Sequence, residues 1–137
     1  MAKDLFHNLV RTALENDGWT ITHDPYTITF GERRVMIDLG AEKLILAEKN
    51  AQKIAIEVKS FTGISLINEL HQTVGQLDFY ALLLEKESDN RILYLAMPAD
   101  AYNELTLEPI VVEYLERHQV KIIIYETNQP TITKWIE

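Results

Sequence analysis

The stretch that decides the fold is residues 54–60, Ile-Ala-Ile-Glu-Val-Lys-Ser, an apolar segment with an acid and an amine two positions apart. Side chains alternate across a strand, so Glu57 and Lys59 point to one face, and Ile54, Ile56 and Val58 point to the other. Burying a charge in apolar surroundings is costly unless the charge has a partner. A carboxylate and an ammonium on such a strand therefore indicate a site for a hard cation and a phosphate.

A plainer interpretation is that Glu57 and Lys59 lie on a solvated strand face and form an ion pair there. A Glu-x-Lys sequence within a strand is common, so the pattern alone does not separate the two interpretations. The choice depends on which other side chains the rest of the chain supplies.

Length and composition predict one ordinary globular domain over residues 1–137. The chain is 47% hydrophobic and 25% charged, and it has no cysteine, which excludes disulfides and thiolate metal sites. No apolar run approaches the length of a membrane span, and the first residues, Met-Ala-Lys-Asp, lack the layout of a signal peptide. We therefore expect a cytoplasmic protein without a membrane anchor.

The charge balance argues against a protein that coats nucleic acid through its overall field. The net charge is −8, and it is unevenly distributed along the chain. Residues 1–63 hold eight basic and nine acidic side chains, whereas residues 64–137 hold five and twelve. DNA, if bound, is expected to approach the first half, and the acidic half suits solvent or a protein partner.

Hydrophobic periodicity predicts an α/β domain with a mixed sheet flanked by helices. Helices are predicted at residues 2–17, 66–86 and 107–118, and Gly18 is expected to end the first. Strands are predicted at residues 19–22, 27–30, 33–39, 53–59, 91–97, 120–126 and 131–136, while 43–49 fits a strand or a helical turn. On the first helix, His7, Arg11 and Glu15 are predicted to share one polar edge.

The spacing of the acidic residues resembles the PD-(D/E)XK nuclease superfamily. Asp38 ends an apolar strand, and Glu57 and Lys59 begin nineteen residues later, ahead of a long helix. The resemblance implies a restriction-endonuclease-like core in which Asp38 and Glu57 bind a catalytic Mg²⁺ or Mn²⁺ and Lys59 assists the attacking water. It further implies Glu15 of the first helix as a metal ligand and Gln76 of the long helix as a catalytic residue. In this chain Ile37 stands where the superfamily has its proline.

A closer resemblance is to the XisH family, the cyanobacterial fdxN element excision-controlling factors. The matching segments are residues 11–15 (RTALE), 17–19 (DGW), 37–42 (IDLGAE), 54–61 (IAIEVKSF) and 75–80 (GQLDFY). The resemblance implies a nuclease-like protein that acts on DNA in programmed excision of an element, alongside a recombinase and a small partner protein, XisI.

Each candidate residue also has a structural explanation. Asp38 can cap a strand end, and Glu15 can pair with a basic side chain one turn earlier on its helix. Gln76 can lie on a polar helix edge that packs against the sheet. Glu42 and Glu48 are competing carboxylates, which we rank below Asp38. The four histidines show no zinc-like spacing, and we interpret them as structural or exposed.

Three functions are open at this stage. The first is a magnesium-dependent DNA endonuclease acting in element excision. The second is a catalytically inactive nuclease-fold regulator or scaffold that binds a small XisI-like partner, which the acidic charge favours. The third is an interaction domain with a fortuitous motif, which carboxylates more than ~8 Å apart would favour, since one metal shell cannot span that gap. We also expect a homodimer, because a small acidic domain needs a second unit to span two DNA strands.

Overall fold

The computed structural model describes residues 4–45, 50–87 and 89–137, which form helices and strands in alternating groups. The elements in chain order are α1 (His7–Asn16), β1 (Thr20–His23), β2 (Tyr26–Phe30), β3 (Arg33–Ile37), β4 (Leu39–Ile45), β5 (Asn50–Val58), α2 (Leu66–Lys86), β6 (Ile92–Pro98), α3 (Ala99–Leu105), α4 (Pro109–Arg117), β7 (Ile122–Tyr125) and β8 (Ile132–Ile136).

Six of the strands form one mixed sheet in the order β1-β4-β5-β6-β7-β8. β4 pairs antiparallel with β1 and β5, while β5, β6 and β7 run parallel to one another. The parallel pair β5–β6 is joined by α2, as the crossover rule for parallel strands requires. β2 and β3 form a separate antiparallel hairpin.

The sheet has a helix layer on each face, and this explains why its central strands are apolar on both sides. Ile54, Ile56 and Val58 of β5 pack in the same cluster as Val10 and Leu14 of α1. Ala55, on the opposite face of β5, packs in a cluster with side chains of α2. The alternation predicted for residues 54–58 is therefore confirmed, and it directs Glu57 towards the α2 side.

Local signals in the sequence account for several element ends. Gly18 follows α1 with φ +92°, a conformation that favours glycine, and it ends that helix as predicted. Ser65 caps α2, because its Oγ accepts a hydrogen bond of 3.2 Å from the Asn68 backbone N–H. Pro109 occupies the first turn of α4. The long helix predicted at residues 66–86 is confirmed with the same bounds.

Several parts of the chain differ from the sequence-based expectation. The segment 43–49, predicted as a strand or a helical turn, belongs to strand β4 up to Ile45, and residues 46–49 lie outside the described residues. The segment 33–39 is not one strand, because the chain leaves the β2–β3 hairpin after Ile37 and enters the main sheet at Leu39. Helix α3 was not predicted, since its seven residues are too few to show a helical period beside Pro98. Among the described residues, no helix has the length and apolar character that crossing a membrane requires.

Candidate functional site

Asp38 and Glu57 face each other because of the strand register. Leu39 pairs with Ile56 in the antiparallel β4–β5 ladder, which places the preceding Asp38 opposite the following Glu57. The Asp38 backbone N–H donates to Glu57 Oε1 at 3.3 Å, and the Val58 N–H donates to Asp38 Oδ2 at 2.7 Å. Asp38 therefore sits at the joint between the hairpin and the main sheet, held against the end of β5.

The two carboxyl groups are close enough to share a hydrogen bond, so the wide separation expected of a fortuitous motif is not observed. Burial and the neighbouring Asp38 charge raise the pKa of Glu57 to about 8. Burial also raises the pKa of Asp38, although the Val58 N–H and the nearby His7 oppose that change. Two acids that cannot both ionise cheaply retain a proton between them near neutral pH.

Lys59 supplies the nearest positive charge. Its Nζ lies 3.6 Å from Glu57 Oε2, and its side chain is 34% exposed. The ammonium therefore contacts the buried carboxylate from the solvent side. Only part of the negative charge of the site is neutralised by this contact, since the pKa of Glu57 stays high despite it.

Gln76 and Tyr80 approach the pair from α2. Gln76 Nε2 donates to the Tyr80 hydroxyl at 2.7 Å, as their spacing of one helical turn allows. Burial, and then the charges of Glu57 and Asp38, raise the pKa of the Tyr80 phenol. The Tyr80 hydroxyl is thus within the electrostatic reach of both carboxylates, and Gln76 is held beside it.

A cleft of about 530 Å³ opens beside Lys59, between the loop after β5 and α2. Its lining is mostly polar and comprises Asp4, Lys59, Ser60, Phe61, Glu69, Gln72, Thr73 and Gln76. Other clefts exist, but this one adjoins the carboxylate pair at the carboxyl end of β5. In sheets with parallel strands that end is where ligands bind.

The start of α1 closes the other side of the site. The Ser60 backbone N–H donates to Asp4 Oδ2 at 2.9 Å, which ties the chain before α1 to the chain after β5. His7 Nε2 lies 2.7 Å from Asp24 Oδ1, and Arg11 binds the other oxygen of Asp24 at 2.5 Å.

The prediction that His7 lies on the polar edge of α1 is therefore wrong. His7 is 2% exposed and lies on the buried face, three residues before Val10 and seven before Leu14. That helical spacing was the signal in the sequence that His7 belongs to the interior. Arg11 pairs with Asp24, not with Glu15, so the structural explanation offered for Glu15 is not observed.

Of the remaining predicted carboxylates, Glu15 and Glu42 lie within the described residues and are not brought to the pair. Glu15 is exposed and lies eight residues beyond His7, about 12 Å along the helix axis. Glu42 faces Arg91, with 3.6 Å between Glu42 Oε1 and Arg91 NH2. Glu48 lies outside the described residues.

The donor set suits a small hard cation better than zinc. In the described parts of the chain, no group of three or more His, Cys, Asp and Glu side chains is arranged to hold a metal ion. Mg²⁺, however, binds proteins through one or two carboxylates and keeps several waters. The buried Glu57 and the partly buried Asp38, two incompletely neutralised carboxylates in hydrogen-bond contact, meet that requirement.

Comparisons with known proteins agree over nearly the whole chain. The sequence model of the XisH protein family matches residues 1–133. Two crystal structures are similar: an XisH family protein from Nostoc punctiforme PCC 73102, with a TM-score of 0.86, and an fdxN element excision controlling factor protein from Anabaena variabilis, with a TM-score of 0.87. Each is 39% identical to this chain, over 98% of it and 100% of the other chain. No curated protein matches the chain.

Proposed function

The chain belongs to the XisH family, and from this premise we propose that it is a nuclease-fold DNA excision controlling factor with a magnesium-dependent endonuclease site. One of the two similar structures is named an fdxN element excision controlling factor, which supports a role in excision of a DNA element. The observation that carries the chemical part is the hydrogen-bonded Asp38–Glu57 pair, which the partly exposed Lys59 contacts at 3.6 Å.

The architecture supports a PD-(D/E)XK, restriction-endonuclease-like core. In that core an acid and a Glu-x-Lys strand meet at one end of a mixed sheet flanked by helices. Here Asp38 precedes β4, Glu57 ends the neighbouring β5, and Lys59 follows it. The hydrogen bonds from the Val58 and Asp38 backbone fix both carboxylates, so the site is largely preformed.

In this proposal Asp38 and Glu57 hold the divalent cation, Mg²⁺ or Mn²⁺. When bound, such an ion polarises a phosphodiester and lowers the pKa of a water bound to it. The two carboxyl groups must release their shared proton to act as ligands, and the raised pKa of Glu57 makes that release pH-dependent. Lys59 neutralises negative charge that develops on the phosphate, and Gln76 helps to orient the attacking water.

Cation binding is the first test. Titration of the purified protein with Mg²⁺ or Mn²⁺ at pH 8, followed by calorimetry, is expected to show binding. Asp38→Ala and Glu57→Ala should abolish it, whereas Glu116→Gln, an exposed control on α4, should not change it. Absence of binding by the wild type would contradict the proposed site.

Cleavage is the second test. With Mg²⁺ or Mn²⁺ present, the wild type is expected to nick plasmid or branched DNA. Lys59→Ala should reduce the rate at least about 100-fold, because oriented charges in such sites contribute that much to catalysis. The Lys59→Ala variant keeps both carboxylates, so it should still bind the cation.

A second candidate function is a nuclease-fold regulator or scaffold that no longer cuts and binds a small XisI-like partner. The charge of the cleft favours it, because the described residues that line the cleft include the basic Lys59 and the acidic Asp4 and Glu69. With a net charge of −8, the protein repels DNA at long range.

The two functions give different results in one experiment. A regulator is expected to form a stable complex with the partner, measured by size-exclusion chromatography with light scattering, and to leave DNA intact with either metal. The same measurement on the protein alone tests the expected homodimer. Cleavage that depends on Lys59 would exclude the regulator.

A further inference from the structure

Taken as whole residues, backbone included, only His7, Glu57 and Thr73 are both buried and polar or charged among the residues that the structure describes. Glu57 is in the proposed metal site, and Thr73 lines the cleft beside it. His7 has no assigned role. Buried polar groups are costly unless partnered, so a third one in this region requires an explanation.

The strand register places His7 next to Asp38. His23 at the end of β1 pairs with Gly40, and Tyr26 at the start of β2 pairs with Ile37. Asp24 and Pro25, which lie between these two pairs, are therefore opposite residues 38 and 39. Because His7 Nε2 is 2.7 Å from Asp24 Oδ1, the imidazole lies at this same junction.

The two ring nitrogens of His7 are in different situations. Nε2 contacts the Asp24 carboxylate, which can only accept while ionised, so Nε2 carries the proton. Arg11 donates to the second oxygen of Asp24. Nδ1 is buried and has no hydrogen-bond partner. In the neutral ring this atom has a free lone pair, and His7 is close enough to Asp38 to act on its carboxyl group electrostatically.

We infer that the Asp24–His7 pair is an additional part of the cation site, in which His7 Nδ1 accepts a hydrogen bond from a water of the cation's hydration shell. This inference rests on the proposed function. Histidines that act in metal sites are commonly oriented by a carboxylate on their other nitrogen, as Asp24 orients His7. A water-mediated role also agrees with the absence of a direct three-ligand group among the described residues. His7 is a positioning residue in this arrangement.

Two variants separate the Nδ1 role from a structural one. His7→Gln keeps an N–H donor for Asp24 but has no acceptor at the Nδ1 position, because its amide oxygen is bonded to the same carbon as the donor nitrogen. Asp24→Asn keeps the imidazole but is expected to reverse its tautomer. Arg11 can only donate, so it binds the amide oxygen of Asn, and the amide NH₂ then faces Nε2. Nε2 must accept from that NH₂, and the ring proton moves to Nδ1. Both should weaken Mg²⁺ binding at pH 8 about tenfold, the size typical of such supporting partners. His71→Gln, an exposed histidine on α2, is the matched control and should bind as the wild type does.

The second readout is ¹⁵N NMR of histidine-labelled protein at pH 8. We expect the Nε2–H tautomer for His7 in the wild type, a shift of its Nδ1 resonance on addition of Mg²⁺, and the Nδ1–H tautomer in Asp24→Asn. A protonated Nδ1 in the wild type, or His7→Gln binding within twofold of the wild type, overturns the inference. If Asp38→Ala loses binding while His7→Gln keeps it, only this inference fails. If the wild type binds no cation, the proposed function fails with it.

Discussion

Two buried charged clusters in this molecule differ in how completely their charges are neutralised. Arg91, at the start of β6, is 5% exposed and faces acids on two sides: its NH2 lies 3.6 Å from Glu42 and its Nε 3.7 Å from Asp89. It also donates to the Ile54 carbonyl at 3.0 Å and lies over the Tyr26 ring, 4.6 Å from the centroid. The Asp38–Glu57 pair at the other end of β5 has two acids and one half-exposed lysine at 3.6 Å.

The contrast distinguishes a structural cluster from a functional one. Each cluster has one cation and two acids, but around Arg91 the buried group is the cation, which contacts both acids, while the Glu42 and Asp89 side chains are 33% and 16% exposed and reach solvent; we call this cluster matched. It joins the hairpin to the main sheet. At the other site the folded protein holds the carboxyl groups of Asp38 and Glu57 close together, and the pKa of Glu57 is strongly raised. Ionisation of Glu57 therefore lowers the stability of the folded protein. Pairs of acids with perturbed pKa values are typical of functional sites, including sites that bind a cation.

The largest effect on folding is expected from breaking the matched cluster. Arg91→Ala leaves Glu42 and Asp89 without their cation and removes the bond to the Ile54 carbonyl, so the free energy of unfolding should fall by about 3 kcal/mol. Urea denaturation measures this loss. Arg117→Ala, on the exposed side of α4, is the control and should change stability by less than about 0.5 kcal/mol. Equal losses in both variants would show that Arg91 has no structural role.

At the Asp38–Glu57 pair, which we call unmatched, removal of a charge is expected to raise the free energy of unfolding at high pH. The pKa of Glu57 is raised from 4.5 to about 8, so its contribution to stability is complete below pH 4.5 and is lost as the pH rises through 8. The free energy of unfolding of the wild type should therefore fall between pH 5 and pH 9, on the order of 2 kcal/mol.

Glu57→Gln removes the buried ionisation and should flatten this decline, so that the variant is the more stable protein at pH 9. Glu116→Gln is exposed and should keep the slope of the wild type. The three proteins share every other ionisable group, so the effect of those groups cancels in the comparison. A Glu57→Gln variant that is less stable at pH 9 would show that the carboxylate is well compensated.

Cation binding should neutralise negative charge at Asp38 and Glu57 and leave the Arg91 cluster unaffected. At ten times the dissociation constant, Mg²⁺ should raise the free energy of unfolding at pH 8 by about 1.4 kcal/mol. Thermal unfolding at increasing Mg²⁺ concentration measures it. The stabilisation should shrink as the pH falls below 8, because protons compete for Glu57. Arg91→Ala, if still folded, should gain as much from Mg²⁺ as the wild type, whereas Asp38→Ala should gain nothing.

The sequence was sufficient for those parts of the fold that depend on local pattern. The long helix α2 and the apolar strand β5 follow from periodicity, and the approach of Asp38 to Glu57 is what the resemblance to the nuclease superfamily implies. The break at Asp38 was not predicted, because residues 33–39 are a continuous apolar alternation and only the tertiary structure separates two sheets there.

His7 was misplaced for a related reason. Its spacing to Val10 fits the buried face and its spacing to Arg11 fits a polar edge, and both are helical spacings. Only its partner Asp24, seventeen residues later, decides between them. Long-range pairing of this kind has no local signal.

The smallest effect is expected at Glu15, and it tests how far the family resemblance extends into α1. The resemblance implies Glu15 as a metal ligand, whereas α1 directs its first turn, with His7, towards Asp38 and leaves Glu15 exposed two turns later. We therefore expect Glu15→Gln to change Mg²⁺ affinity less than twofold, measured by calorimetry beside His7→Gln. A loss as large as that of Asp38→Ala would mean that α1 moves along its axis when the cation binds, since the present distance of about 12 Å from His7 is too long for a shared ion.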